Sequence, residues 1–269
     1  MSERLPIDGT AAAGAAATAS APEVRSVTSE DVLDALRRGW RDFEEAPFHG
    51  LVFGAVYALG GLALAFWAFE SGLSYLMYPA IIGFAMIGPF AAVGLYEIAR
   101  LREKGVKPTW GAILRTLKAQ GGAELAWMAF VTLFVFMAWM YAAQILVAIF
   151  FGLQHFSTLG EFLSLVFTTG EGWLFVIFGN AIGAAALFTV FSLTVISVPL
   201  LLDREVDFVT AMLTSLRAVS VSLKPMLMWA GIVFATLLAA ALPAFLGLPV
   251  AIPVLGFATW RLYRKAVVQ

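Results

Sequence analysis

Few residues in this chain are of types that carry chemistry. It has no cysteine and two histidines, His49 and His155. The lack of cysteine excludes disulfides, thiol chemistry and cysteine-ligated iron–sulfur clusters. An isolated histidine is more often a structural polar residue than a ligand. The sequence also shows no nucleotide-binding loop, no His-Glu-x-x-His pattern and no nucleophile elbow. We therefore predict no catalytic, cofactor-binding or metal-binding residues, no cofactor and no enzyme activity.

Charged residues gather in short runs between long apolar stretches. Glu97 and Arg100 form one such group, and the run Asp203-Arg204-Glu205-Val206-Asp207 forms another. One hypothesis is that they gate a pathway or dock a partner. The other is structural, because Glu97 and Arg100 have helical i,i+3 spacing and the second run ends one helix and begins the next. We favour the structural hypothesis, since charges are usual at the ends of apolar segments.

Gln144 and Asn180 are the strongest polar groups inside the apolar stretches. Two hypotheses follow from their position. They form either a polar step in a permeation path or a hydrogen bond that joins two membrane helices, worth about 1 kcal/mol. We favour the hydrogen bond.

The composition predicts an all-α, polytopic membrane protein. Of 269 residues, 61% are hydrophobic and 13% are charged, whereas soluble domains carry about 25% charged residues. Gly172–Leu202 and Pro225–Trp260 contain no charge at all, and about 20 apolar residues cross a bilayer as a helix. The net charge of −1 and the lack of a long basic run give no reason to expect a nucleic-acid partner.

The apolar stretches predict six transmembrane helices arranged as three hairpins, each preceded by a cytoplasmic amphipathic surface helix. The first surface helix begins with the capping pattern Thr28-Ser-Glu-Asp31, and the others cover 110–117 and 208–223. A turn at Leu242–Pro249 divides the last apolar stretch, whose short second helix relies on Arg261 to snorkel. The first four spans are Gly50–Phe69, Ser71–Tyr96, Leu125–Gly152 and Trp173–Leu202.

The chain divides into a disordered, Ala-rich cytoplasmic tail at 1–28 and a single membrane domain at 29–269. The alternation of surface helix and hairpin suggests an internal repeat with units 29–101, 109–204 and 207–265, although any series of helical hairpins shows such alternation. Small residues at Gly50-x3-Gly54-x3-Ala58 and at Gly179-x3-Gly183 predict faces where helices approach closely.

Six spans place all 17 Lys and Arg on one side of the membrane and leave only acidic residues on the other. The positive-inside rule then puts both termini in the cytoplasm. The aromatic residues near the span ends predict two interfacial belts. The outer belt is Trp67, Tyr75, Tyr78 and Trp173, and the inner belt is Trp40, Tyr96, Trp127, Trp229, Trp260 and Tyr263.

Three motifs resemble a family of uncharacterised bacterial integral membrane proteins, some members of which carry the label of a cytochrome c oxidase subunit. They are Ile87–Gly105, Ser197–Ala230 and Leu255–Val267. The resemblance implies a six-helix inner-membrane protein without an established activity. The family pattern has histidines near Phe257 and Arg261, and this chain lacks them. The surface-helix-plus-span unit is also loosely similar to the membrane domain of some glycerophosphodiester phosphodiesterases.

A catalytic oxidase subunit is excluded, because it needs about six histidine ligands and this chain has two, which we place on opposite faces of the membrane. We therefore predict a non-catalytic inner-membrane protein, an accessory, assembly or membrane-organising component of a larger complex. Its expected partners are the lipid bilayer and other membrane subunits. The alternative is a channel or carrier for a small apolar or lipid-like solute.

Overall fold

The computed structural model describes residues 22–71, 83–120, 122–152 and 159–268. Within these ranges the regular structure is helical, apart from an isolated backbone bridge between Val24 and Val267. The first helices are α1 (Ser29–Glu45), α2 (Pro47–Glu70), α3 (Gly88–Ala91), α4 (Val93–Glu103), α5 (Trp110–Gln120) and α6 (Gly122–Phe151). The later helices are α7 (Leu159–Thr168), α8 (Gly170–Thr194), α9 (Ser197–Asp203), α10 (Phe208–Val221), α11 (Leu223–Ala241) and α12 (Leu248–Ala266).

Each of the three shorter polar or mixed helices α1, α5 and α10 begins at a side-chain cap. Thr28 and Asp31 form the predicted capping box of α1. The Thr109 hydroxyl accepts from Ala112 N at the start of α5, and Asp207 accepts from Thr210 N at the start of α10. These caps satisfy backbone donors that a helix N-terminus otherwise leaves free. The sequence has the same capping pattern at Thr158-Leu-Gly-Glu161, but Thr158 lies outside the described residues.

The prediction of an all-helical membrane protein is confirmed. Four stretches are long and apolar enough to cross a bilayer, namely α2, α6, the continuous run Gly170–Asp203 and α11. The predicted second span, Ser71–Tyr96, lies partly outside the described residues. The predicted sixth span corresponds to α12, which is not among the four. The count of six spans therefore stays a prediction.

Helix α12 lies at the centre of the fold. Residues 251–260 are all buried, and α12 packs most extensively against α1 and α2 and also contacts α4 and α11. Helix α12 therefore departs from the sequence interpretation in one respect, the role of Arg261. Its apolar residues face other helices of this chain, and Arg261 binds carboxylates instead of snorkelling.

Glycines allow α1 and α2 to approach α12 closely. A methyl group added at Gly39 would lie 2.6 Å from Ala258 N, and one added at Gly54 would lie 2.6 Å from Pro249 Cα. Gly50, Gly54 and Ala58 are all buried, so the first predicted small-residue face is confirmed. At Gly179, a methyl group would meet no atom within 4 Å in the described part of the chain, so no close approach occurs there.

The segment before α1 is ordered against the end of α12. Arg25 N donates to Ala266 O at 2.8 Å, Val268 N donates to Glu23 O at 3.0 Å, and Val27 N donates to Ser222 Oγ at 2.9 Å. Residues 22–28, which the sequence interpretation assigned to the disordered tail, therefore hold α12 and the start of α11 together. Residues 1–21 lie outside the described residues.

The inner aromatic belt is also corrected by the structure. Four of its six members are buried within the protein, where aromatic rings contact one another instead of lipid headgroups. Trp260 lies 5.4 Å from Tyr263 and 6.5 Å from Tyr96, measured between ring centroids. Trp40, Trp127, Trp67 and Trp173 are exposed, as a belt requires, whereas Tyr75 and Tyr78 lie outside the described residues.

Candidate functional site: the charged network

Among the residues that the structure describes, the largest cluster of ionisable side chains surrounds the C-terminal end of α12. Arg264 and Lys265 lie three and four positions after Arg261 on the last two turns, where cations also interact favourably with the helix dipole. Their partners come from α1, α4 and α9. We call this set the charged network, and it comprises Asp31, Asp34, Asp42, Glu45, Arg102, Glu103, Asp203, Arg261, Arg264 and Lys265.

Arg261 connects α12 to α1 and α4. Its Nε and Nη2 donate to the two carboxylate oxygens of Asp42 at 2.7 and 2.9 Å, and its Nη1 donates to Glu103 at 3.0 Å. Asp42 is buried, and its backbone carbonyl accepts from Arg102, which also pairs with Glu45. The hydrogen bonds from Arg261 to Asp42 raise the pKa of the guanidinium above its usual value. Such a bidentate, charge-assisted pair fixes direction as well as distance.

Arg264 connects α12 to α4 and α9. It lies 3.1 Å from Glu103 and 3.0 Å from Asp203, and the Tyr263 hydroxyl donates to the same Asp203 oxygen at 2.8 Å. Burial and the negative charge of Asp203 both raise the pKa of Tyr263, so the phenol stays protonated as a donor. The guanidinium of Arg264 also lies 5.9 Å from the centre of the Trp260 ring, a distance typical of cation–π contacts.

Lys265 connects α12 to the beginning of α1. Its ammonium lies 2.9 Å from Asp31 and 2.7 Å from Asp34. The hydrogen bond from Lys265, followed by that from the Thr28 backbone, lowers the pKa of Asp31 from 3.8 to about 2. The pKa of Asp34 is lowered for the same first reason. Lys265 therefore binds α1 both at the capping box, through Asp31, and about one turn later, through Asp34.

The charged groups singled out in the sequence have structural roles in the described geometry. Glu97 and Arg100 form the predicted i,i+3 pair, with Nε–Oε2 at 2.8 Å, and Glu97 is fully buried. In the second run, Asp203 ends α9 and pairs with α12, while Asp207 caps α10. These contacts hold α4, α9, α10 and α12 in place, as the structural hypothesis predicts.

The network is saturated with partners of opposite charge. Each of its six carboxylates accepts a hydrogen bond from, or forms an ion pair with, an arginine or lysine. Among the described residues, no group of three or more His, Asp or Glu side chains has an arrangement that suits a metal ion. The network neutralises charge and joins four helices.

The remaining polar candidates lie apart from the network. The His49 ring packs 5.0 Å from Trp110, and His155 lies outside the described residues. Gln144 on α6 and Asn180 on α8 are both exposed on the protein surface. The Asn180 amide donates to Val176 O of its own helix at 2.8 Å. The predicted bond between the two helices stays a prediction.

Sequence reasoning missed Asp42 and the partners of Arg261. Asp42 and Arg261 are 219 positions apart in the chain, and local periodicity contains no information about such pairs. The surplus of three cations at the end of α12 was the available signal, because buried or half-buried cations need anionic partners.

Comparison with known proteins supports a membrane location and assigns no activity to the chain. Residues 77–203 match the model of a family described as a predicted integral membrane protein (DUF2189), whose function is unknown. The resemblance to an uncharacterised integral-membrane family is thus confirmed over this segment, which includes the motif Ile87–Gly105. No curated protein and no solved structure matches the chain, so the oxidase label gains no support from named relatives.

Proposed function

We propose that this protein is a non-catalytic component of the bacterial cytoplasmic membrane that acts by packing against other membrane proteins. It is an accessory, assembly or membrane-organising subunit of a larger complex. An even number of crossings leaves both termini in the cytoplasm, together with the charged network. The saturated pairing of the network supports a structural role over acid–base chemistry, which requires a carboxylate or base that is able to exchange a proton with substrate.

The observation that carries this proposal is how little of the apolar helices the chain itself buries. Within the 18-residue apolar stretch of each helix, only 28% is buried in α2 and 17% in α6 and in α11, whereas 61% is buried in Gly170–Asp203. The outer faces of α2, α6 and α11 are therefore available to lipid or to another membrane protein.

The position of Gln144 supports a protein partner that contacts α6. Its side chain lies on the exposed face beside Tyr141 and Ile145, seven residues, or about 10 Å, before the end of the helix. An amide in contact with hydrocarbon loses hydrogen bonds that water would supply. A polar group of a neighbouring helix restores them, and glutamine is one of the residues that join membrane helices in this way.

A photo-crosslinking residue in place of Gln144 tests the proposal in native membranes. We expect a protein adduct of defined mass, because a partner helix covers this face. The matched control is the same residue in place of Ala143, which is buried against α8 and is expected to give only internal crosslinks. The proposal is refuted if position 144 yields lipid adducts alone and the protein leaves the membrane as a lone monomer.

We also propose that the fold is built from three related units, 29–101, 109–204 and 207–265. Each surface helix packs on the second hairpin helix of another unit, since α1 contacts α12, α5 contacts α4, and α10 contacts α8 and α9. The first of these contacts closes the series between the two ends of the chain. The buried segments of α4, α9 and α12 touch one another at the centre. This cyclic order supports three copies around an axis normal to the membrane.

The second candidate function is a carrier for an apolar or lipid-like solute. A groove of about 450 Å³ opens between α1, α11 and α12, and its mainly apolar lining includes Leu36, Trp40, Thr236, Val250 and the side chain of Arg37. Such a lining suits an acyl chain with an anionic head. Flux of such a solute into proteoliposomes would favour this function, and flux unchanged in Gln144→Leu and Asn180→Leu would exclude a path past those residues.

A further inference from the structure

Helices α2 and α12 run side by side in opposite directions, and their contacts fix a common scale. A methyl group at Gly50 would lie 2.9 Å from Pro253 Cβ, and one at Gly54 would lie 2.6 Å from Pro249 Cα. Four residues along α2 thus correspond to four residues along α12. Further along, Gly61 faces the ring of Phe245, with 3.1 Å between its methyl position and Cε1. Phe245 belongs to the turn between α11 and α12.

Measured along α2 in this way, the turn lies well short of the C-terminal end of α2. Gly61 is 14 residues, or about 21 Å, from the start of α2 at Pro47, and nine residues, or about 14 Å, of α2 continue beyond it to Glu70. The uncharged part of α2, Gly50–Phe69, is centred next to Gly61. Since a bilayer core is about 30 Å thick, the turn lies near its middle. By length alone α11 is able to cross the bilayer. The alignment of the hairpin with α2 therefore decides whether the turn reaches the far side.

The base of the hairpin lies on the side where α2 begins. The C-terminal half of α12 packs against α1, a helix with nine charged residues, and ends in the charged network. Ser222, just before α11, accepts the hydrogen bond from Val27. Both legs of the hairpin therefore start and finish outside the hydrocarbon on one side.

The chemistry of the turn fits burial in hydrocarbon. Leu242–Gly247 has no polar side chain. The N–H groups of residues 242 and 244–248 all donate to backbone carbonyls within the hairpin, at 2.9–3.1 Å, and Pro243 has no N–H. Irregular backbone survives at membrane depth only where its polar groups are satisfied by the protein or by water. Leu242 and Leu246 are 78% and 76% exposed, so they contact lipid instead of a protein core.

We propose that α11 and α12 form a re-entrant hairpin whose turn, Leu242–Gly247, inserts among the acyl chains near the middle of the bilayer and returns to the side it came from. The surface formed by Leu242 and Leu246 binds lipid tails of one leaflet. The hairpin replaces the fifth and sixth predicted crossings. Because it removes two crossings, it leaves the sidedness of every basic residue unchanged.

Single cysteines test this inference cleanly, because the chain contains none of its own. Leu246→Cys is compared with Ser71→Cys at the far end of α2 and with Ser220→Cys near the base of the hairpin, both exposed positions. In sealed vesicles, a membrane-impermeant maleimide labels the two controls from opposite sides. We expect Leu246→Cys to react at least about tenfold more slowly than either control, from both sides, because water is excluded from its surroundings.

Labelling of Leu246→Cys from the Ser71 side would show that the hairpin crosses the membrane and would overturn the proposal. Labelling from the Ser220 side would overturn it too, because the turn would then lie outside the bilayer. A nitroxide attached to the same cysteine separates lipid contact from burial in protein. We expect strong relaxation by oxygen and weak relaxation by a water-soluble nickel chelate. A spin label protected from both reagents would contradict the contact with acyl chains.

Discussion

The packing of α2 against α12 gives the sharpest test of this structure. In Gly54→Ala, the new methyl group lies 2.6 Å from Pro249 Cα, about 1 Å inside an ordinary carbon–carbon contact. The neighbouring atom is backbone, so a rotamer change cannot relieve the clash. In Gly60→Ala on the same helix, the nearest atoms belong to the Phe84 ring and lie 3.7–3.8 Å away. That substitution fills space without displacing anything.

Two contributions to the free energy of unfolding matter here, and the two variants have only the first in common. Replacing glycine by alanine within a helix stabilises by about 1 kcal/mol in both. Overpacking adds a cost of about 1–3 kcal/mol to Gly54→Ala alone. We therefore expect the free energy of unfolding of Gly54→Ala to lie about 1–3 kcal/mol below that of Gly60→Ala. The Gly60→Ala variant should equal or exceed the unsubstituted protein.

Unfolding of the purified protein in bicelles measures this difference. Trp229 and Trp260 are fully buried, so tryptophan fluorescence reports loss of the core, and circular dichroism reports loss of helix. Equal stability of the two variants, within about 0.5 kcal/mol, would mean that α12 does not lie against α2 at Gly54. The depth scale used for the re-entrant hairpin would then fail as well.

The charged network gives further predictions in the same assay. Arg261→Met leaves the buried Asp42 without its bidentate partner, so we expect a loss of about 2–4 kcal/mol, whereas Arg38→Met, at an exposed pair, should change stability by less than about 0.5 kcal/mol. Equal losses would show that the network contributes no more than a surface pair. In acid titration, the low pKa of Asp31 predicts that its contribution is complete above pH 3.8 and disappears as the pH falls towards about 2. Lys265→Met, which removes the main cause of the shift, should lose less stability over that window than the unsubstituted protein.

Local features of the fold were predictable because their causes are local. The capping box at Thr28 and Asp31, the end of an apolar run at Asp203, and the cap at Asp207 each depend on residues within one helical turn. The close approach at Gly50 and Gly54 follows from side-chain size alone. The turn at 242–247 follows from Pro243, Gly247 and Pro249, which interrupt an otherwise helical stretch.

What the sequence could not provide is which apolar helix faces lipid and which faces protein. A helix such as α12 is apolar on most of its surface in either case, so its pattern predicts burial without naming what buries it. Tyr96, Trp260 and Tyr263 illustrate the same ambiguity, since aromatic residues near a span end suit both an interfacial belt and a packed core.

The prediction of six crossings takes no account of depth, for the same reason. Hydropathy measures how many apolar residues a segment has, and α11 has enough of them to cross. It does not measure where a turn lies relative to other helices. That position follows only from contacts between distant segments, here Gly54 with Pro249 and Gly61 with Phe245. Two apolar helices joined by an apolar turn are therefore a pattern for which a re-entrant hairpin should be considered. Leucines at both ends of a turn that is exposed to water would not stabilise it.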